Sequence, residues 1–241
     1  MKPTLRERQP GASFGRALVY EVCRRIARAC LWALVGLRAE GVERVPARGA
    51  LLIAANHESY LDPPCVGSVI TQRHLTYVAR AGLFRFRPFA WLISTLNSVP
   101  IRENQGDAAA IREILARLER GHAVLIFPEG SRSLDGEMTE FKRGVSVLLK
   151  RAKCPVIPAA VVGAYERWPA HRRLPTLRGP RVRVLFGTPI DAEELLAQGP
   201  DAALARVERE VRALRERLRR ESEPGARGGG EPTPGAGPAL S

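Results

Sequence analysis

Short apolar runs recur along this chain with stretches of helical period between them, and this alternation restricts it to a sheet buried under helices. Gly49 to His57 (GALLIAANH), His74 to Arg80, Asn97 to Arg102, His122 to Phe127, Val156 to Gly163 and Val182 to Phe186 read as strands. The first is an apolar run of buried-strand type, and strands that alternate with helices form a largely parallel sheet covered on both faces. Between them, residues 63–71, 107–120, 141–153 and 201–220 carry apolar residues at steps of three and four, which predicts helices. Strand and helix in turn give an α/β fold, a mostly parallel sheet flanked by helices. At 241 residues, one such domain with terminal extensions fits better than two.

The extensions divide the chain further. Residues 1–13 hold Lys2, Arg6 and Arg8 among Pro and Gly and are expected to be a basic mobile arm. Residues 14–40 contain an amphipathic helix to about Leu37: Phe14, Leu18, Val22, Ile26, Ala29 and Ala33 form one stripe, with Arg16, Arg24, Arg25 and Arg28 around the remainder. Such a segment either packs on the domain with its arginines in water or lies in a membrane interface. Residues 41–222 are the expected catalytic domain, and residues 223–241, rich in Gly and Pro, an expected disordered tail.

A formal net charge of +13 and a pI near 10.7 favour a polyanionic partner, nucleic acid or an anionic lipid surface, although an Arg-rich, Ala-rich composition can also reflect biased genomic usage. No secretory leader is evident, and the apolar run Ala29 to Leu37 is about half the roughly 20 residues a spanning helix needs. The four cysteines, Cys23, Cys30, Cys65 and Cys154, lack metal-ligand spacing and read as buried reduced thiols.

Two strand ends carry the chemistry. The first is Asn56-His57-Glu58-Ser59-Tyr60-Leu61-Asp62-Pro63, at the carboxyl end of a strand, where open α/β sheets place their sites. His57 can act as a base near neutral pH if a carboxylate takes its other ring N–H, and Asp62 is the candidate. On a continuous helix the two would lie about 140° apart, so a turn must bring them together, with Asp62 as N-cap and Pro63 as the first helical residue. The second is Phe127-Pro128-Glu129-Gly130-Ser131-Arg132-Ser133, whose carboxylate, glycine, hydroxyls and guanidinium suit a hydroxylated, phosphate-bearing ligand. Either stretch alone is also compatible with a polar structural turn.

Together these blocks resemble the glycerolphosphate acyltransferases, and within them the 1-acylglycerol-3-phosphate acyltransferase type. Asn56-His57 through Asp62 is similar to N-H-x-S-x-x-D, and Phe127 to Ser133 to F-P-E-G-[ST]-R-S. Phe141-Lys142-Arg143-Gly144 follows as F-K-x-G, and Val156-Ile157-Pro158 resembles the V-I-P block. Asn97 to Arg102 resembles the glycine, apolar, arginine block, with Asn97 where the family has Gly and with Arg102 and Glu103 as alternatives for the arginine position.

The resemblance, over residues 40–190, implies transfer of a fatty acyl group from acyl carrier protein or coenzyme A to the sn-2 hydroxyl of 1-acylglycerol-3-phosphate (lysophosphatidic acid), giving phosphatidic acid. It implies His57 as base and Asp62 as its holder. Glu129, Gly130, Ser131 and Arg132 would shape the acceptor site, and Arg102 and Arg132 would contact its phosphate. No metal or cofactor beyond the thioester co-substrate is expected, and the place of action is the cytoplasmic face of the membrane, peripheral or monotopic. Another lyso-lipid acceptor, such as lyso-ornithine lipid, is the alternative within the class. Outside it, a non-catalytic membrane-surface module has no use for His57, Asp62 and Glu129 together, and a nucleic-acid-binding role lacks zinc-ligand spacing and RNA-binding aromatics. The one G-x-S-x-G match, Gly11 to Gly15, follows no apolar strand run, so no serine nucleophile elbow is offered.

Overall fold

The computed structural model describes residues 3–5, 7–101 and 106–222. Its centre is a seven-stranded sheet of β1 (Arg38–Glu40), β2 (Leu51–Ala55), β3 (Leu75–Arg80), β4 (Ser98–Ile101), β5 (Ala123–Ile126), β6 (Val156–Val162) and β7 (Arg183–Phe186), ordered β1-β7-β6-β2-β5-β3-β4. Every neighbouring pair is parallel except β6 with β7.

Strand β2 lies between β6 and β5, and all five of its residues are buried. The pleat sends alternate side chains to opposite faces. Leu51, Ile53 and Ala55 join Cys65, Val66 and Val69 of α2 (Asp62–Val69) in one core, on which Leu31 and Val35 of α1 (Phe14–Val35) also pack. Leu52 and Ala54 enter the other core, with α4 (Gly106–Glu119), α5 (Gly144–Ala152), α6 (Ala192–Leu196) and α7 (Pro200–Ser222). The layers are those the continuous apolar runs require.

One strand and two α-helices escaped the sequence reading. Strand β1 is only R-A-E at the sheet edge, too short and polar to show a period. Helix α3 (Arg87–Thr95) has no buried residue, so no inward stripe marks it in advance. Helix α6 is five residues long. At α2 the expected cap moves by one: Leu61 holds the N-cap position and Asp62 is the first helical residue.

Helix α1 turns its apolar stripe away from the domain, the orientation that the membrane-interface alternative requires. Its buried residues are Ala17, Tyr20, Glu21, Arg24 and Val35, whereas Phe14, Leu18, Val22 and Ile26 are 52%, 45%, 46% and 58% exposed. The polar inward face is held by specific bonds: the Leu75 N–H donates to the Tyr20 hydroxyl at 3.0 Å, Arg24 forks onto Glu21, and Arg24 Nη1 donates to the Ser68 carbonyl at 2.8 Å. The preceding segment is tied to the same place. Gln9 is buried and donates to Asn97, the His74 N–H donates to the Arg8 carbonyl, and Arg8 pairs with Glu21 at 3.2 Å. The arm expected to be mobile is therefore docked over residues 7–9, because its polar groups complete those of α1 and β3. The tail expected at 223–241 lies outside the described residues.

Among the described residues no helix is long and apolar enough to cross a membrane. All four cysteines are free; Cys65 and Cys154 are buried as expected, but Cys30 is exposed and Cys23 half-buried, since both lie on sides of α1 that the domain does not cover.

Candidate active site

The carboxyl ends of β2 and β5 are adjacent because the two strands pair in parallel, Ala54 opposite Ile126. The chain leaving β2 is first pinned to its other neighbour. Asn56, fully buried, donates from Nδ2 to the Val161 carbonyl at 2.9 Å and accepts the Val161 N–H at 2.8 Å, so its side-chain amide extends the β2–β6 ladder by one rung. Residue 57 is thus placed at a fixed height above the sheet.

The His57 ring lies flat on Phe127, centroids 4.0 Å apart, and Nδ1 is 2.8 Å from Asp62 Oδ2. Asp62 is fully buried, and the same oxygen accepts the Glu58 and Ser59 N–H groups, each at 2.7 Å. One carboxylate oxygen therefore folds the turn and holds the ring. Because a carboxylate only accepts, the proton sits on Nδ1 and Nε2 carries the lone pair. The side chain of His57 keeps 16% of its surface exposed, and among the described residues Nε2 has no hydrogen-bond partner. This arrangement presents a base whose conjugate acid is stabilised from behind.

Glu129, from the loop after β5, is turned inward. Oε1 accepts the His57 N–H at 2.7 Å, while Oε2 accepts the Thr139 N–H and hydroxyl at 2.8 and 3.0 Å. Burial raises its carboxyl, and those donors oppose the shift. Both oxygens are occupied, so Glu129 shapes the site by clamping its two loops together. The Ser133 N–H closes the clamp on the His57 carbonyl at 2.8 Å. Gly130 has φ +73° and lies where a Cβ would collide with the Lys142 side chain, so this corner admits only glycine without strain. Ser131 is exposed beside it.

Arg132 lays its guanidinium over the Tyr60 ring, 3.6 Å from the centroid, and its Nε is buried with no partner among the described residues. Burial lowers its affinity for its proton, and nearby Arg80 adds to this. A half-buried guanidinium with a donor unused and a second cation close by is suited to an anion. Arg102, the other expected phosphate contact, and Glu103 lie outside the described residues.

Two partners of the site gave no signal in the sequence. Glu58, buried beside Asp62, is met by Arg215 of α7, whose Nε donates to Glu58 Oε1 at 2.7 Å and whose other nitrogens reach Glu137 and the Gly136 carbonyl. Burial pushes the Glu58 carboxyl up and Arg215 draws it back. The second is Trp168, whose carbonyl accepts the Ser59 hydroxyl at 2.7 Å and the Tyr60 N–H at 3.4 Å, while its ring tilts against Tyr60. Contacts across more than 100 residues of sequence follow from the topology of the fold and have no local pattern.

The family model described as Acyltransferase matches residues 36–162, which is more than half of the 241-residue chain. The chain belongs to the acyltransferase family. A chloroplastic 1-acyl-sn-glycerol-3-phosphate acyltransferase of Arabidopsis thaliana is 26% identical over 169 residues, covering 66% of this acyltransferase and 47% of the relative. This chain thus spans about half the length of that protein. The human 1-acyl-sn-glycerol-3-phosphate acyltransferase alpha is 30% identical over 209 residues, 82% of this chain and 69% of its own. The crystal structure of the 1-acyl-sn-glycerophosphate acyltransferase of Thermotoga maritima superposes with a TM-score of 0.73 at 25% identity, covering 85% of this acyltransferase and 81% of that chain. The matched segment of the family model contains His57, Asp62 and Glu129 to Arg132 but stops before Arg215.

Proposed function

We propose that this acyltransferase transfers a fatty acyl group from a thioester, on acyl carrier protein or coenzyme A, to the sn-2 hydroxyl of 1-acylglycerol-3-phosphate, forming phosphatidic acid. The observation that carries the proposal is the His57–Asp62 pair at 2.8 Å with Nε2 unpaired among the described residues, set on loops clamped by Glu129 and adjoining Arg132. The names of the relatives supply the acceptor.

In this mechanism Nε2 takes the proton of the acceptor hydroxyl as its oxygen attacks the thioester carbonyl. Asp62 stabilises the imidazolium that results. When the tetrahedral intermediate collapses, the C–S bond breaks and the imidazolium returns the proton to the departing thiolate, leaving His57 as it began. Arg132 offers its half-buried guanidinium to the acceptor phosphate. No acyl-enzyme is needed, and Cys65 is a poor candidate for one: it is fully buried, and burial holds its thiol well above the usual range, which leaves little thiolate near neutral pH.

The acceptor resides in a bilayer, so the enzyme must work at its surface. The outward stripe of α1 supports this, since Phe14, Leu18, Val22 and Ile26 are left in water by a helix that buries Glu21 and Arg24 instead. Exposed Arg16, Arg25 and Arg28 flank the stripe, and apolar burial combined with basic residues is the signature of an interfacial helix. The proposed location is peripheral, on the cytoplasmic face.

The test offers the purified protein 1-acylglycerol-3-phosphate, lyso-ornithine lipid and other lyso-lipids with each thioester donor, and identifies products by mass. Phosphatidic acid formed by the wild type and lost in His57→Ala is expected. Acylation of a phosphate-free lyso-lipid in preference would overturn the acceptor, and activity retained by His57→Ala would overturn the base.

A further inference from the structure

The segment between β6 and β7 is built around a buried arginine. Arg167, 5% exposed, donates from Nε to the Pro180 carbonyl at 2.9 Å, from Nη2 to the Gly179 carbonyl at 2.6 Å and from Nη1 to the Leu177 carbonyl. The Thr176 N–H returns to the Arg167 carbonyl at 2.8 Å, and Trp168 Nε1 donates to the Arg172 carbonyl at 3.1 Å. A guanidinium satisfied by three carbonyls of one loop fixes that loop's shape.

What the clasp presents is unusual for a surface turn. Leu174 and Leu177 stand 77% and 64% exposed, and exposed Arg172, Arg173, Arg178 and Arg181 flank them in sequence, with Glu166 the one acid of residues 166–181. Bare leucines flanked by arginines match an interface with apolar acyl chains beneath anionic headgroups.

Its two ends place the loop. At one, Trp168 bonds Ser59 and Tyr60, and Tyr60 carries the Arg132 guanidinium, so the loop is rooted on the active-site turn. At the other, the Val182 N–H donates to the Val35 carbonyl at 3.1 Å and the Arg181 side chain lies against Gly36. There α1 ends, with Trp32 and Leu34 59% and 52% exposed. The loop is therefore joined both to the outward-facing helix and to the site.

We propose that the Arg167-clasped loop, residues 168–181, is a second lipid-contacting element, inserting Leu174 and Leu177 into an anionic membrane beside the active site so that the acceptor passes from bilayer to His57 along it. This rests on the reading that the acceptor is a membrane lipid. A soluble acidic protein could also use leucines flanked by arginines, but continuity with the exposed Trp32 and Leu34 at the end of α1 favours the membrane.

The full chain carrying Leu174→Ser and Leu177→Ser tests it. Both side chains are exposed, so folding should be unchanged. With phosphatidylcholine vesicles containing phosphatidylglycerol, sedimentation should show on the order of tenfold weaker binding than wild type, equivalent to about 1.4 kcal/mol. The rate on vesicle-embedded acceptor should fall in parallel, and the rate on a short-chain, monomeric acceptor should not. Unchanged vesicle binding and equal rates on both acceptor forms would overturn the proposal. So would a loss confined to the carrier-protein donor with vesicle binding intact, which would make the loop a docking site for that acidic protein. A wild type inactive on every lyso-lipid would instead remove the catalytic reading, and vesicle binding of the two forms would still decide the role of the loop.

Discussion

Replacing Asp62 by asparagine keeps the shape of the side chain and removes its charge, so it separates the two tasks that one carboxylate performs. The amide oxygen can take the place of Oδ2 and keep the Glu58 and Ser59 N–H groups and His57 Nδ1, now at 2.7, 2.7 and 2.8 Å. The amide nitrogen then falls where Oδ1 lies, buried with no partner among the described residues, and an unsatisfied buried donor costs about 1–3 kcal/mol. The fold should survive that loss, which is a fraction of a typical stability of about 5–15 kcal/mol. Catalysis suffers more. With charge centres about 4 Å apart and an effective dielectric of about 20, the carboxylate stabilises an imidazolium by about 4 kcal/mol. Part of this is retained as a neutral hydrogen bond, so about 2.7 kcal/mol should be lost from the transition state, a fall in kcat of about 10². The assay is kcat on a short-chain acceptor at saturating thioester, with a thermal melt on the same sample. A folded Asp62→Asn variant that loses less than about tenfold would refute the view that Asp62 stabilises charge on His57.

Arg215→Met should destabilise the protein by about 3–5 kcal/mol, because it leaves Glu58 buried without its cation; denaturant unfolding should show most of that recovered in Glu58→Gln/Arg215→Met, and equal stability of the single and double variants would contradict the pairing. Leu18→Ser, Val22→Ser and Ile26→Ser together should weaken binding to anionic vesicles by at least about tenfold and leave the melting temperature nearly unchanged, since each lies on the open side of α1; a large drop in melting temperature would mean the stripe is covered by protein. His74 and His122 are held to about 4 by burial, both below the ordinary 6.5. The unfolded chain thus binds these two protons first as pH falls, so the histidines' contribution to stability should be level above about pH 6.5 and be lost, on the order of a few kcal/mol, between about 6.5 and 4, opposed by the raised Glu58 carboxyl. A proton NMR titration in which both imidazoles show the ordinary midpoint near about 6.5 would show that neither histidine is buried neutral.

The sequence determined the class of fold, because runs such as Leu51 to Ala55 can be stable only with both faces covered, and it marked the candidate site, because groups suited to acid–base and anion chemistry cluster at two such runs. His57, Asp62 and Arg132 were legible for that reason: each lies within a few residues of its strand's end, and local spacing constrains where it can go. Pairing across the sheet was not legible. That Glu129 spends both carboxylate oxygens on His57 and Thr139, that Arg215 balances Glu58 and that Trp168 anchors Tyr60 depend on which strands are neighbours, and strand order has no signature in the apolar pattern. The orientation of α1 was decided the same way. Its stripe would pack inward by hydrophobicity alone, yet the Tyr20 hydroxyl accepts the Leu75 N–H of β3, and Arg24, paired with Glu21 within α1, reaches the Ser68 carbonyl of α2. Only the assembled surface could supply those partners, and by satisfying the polar face it turned the apolar one outward.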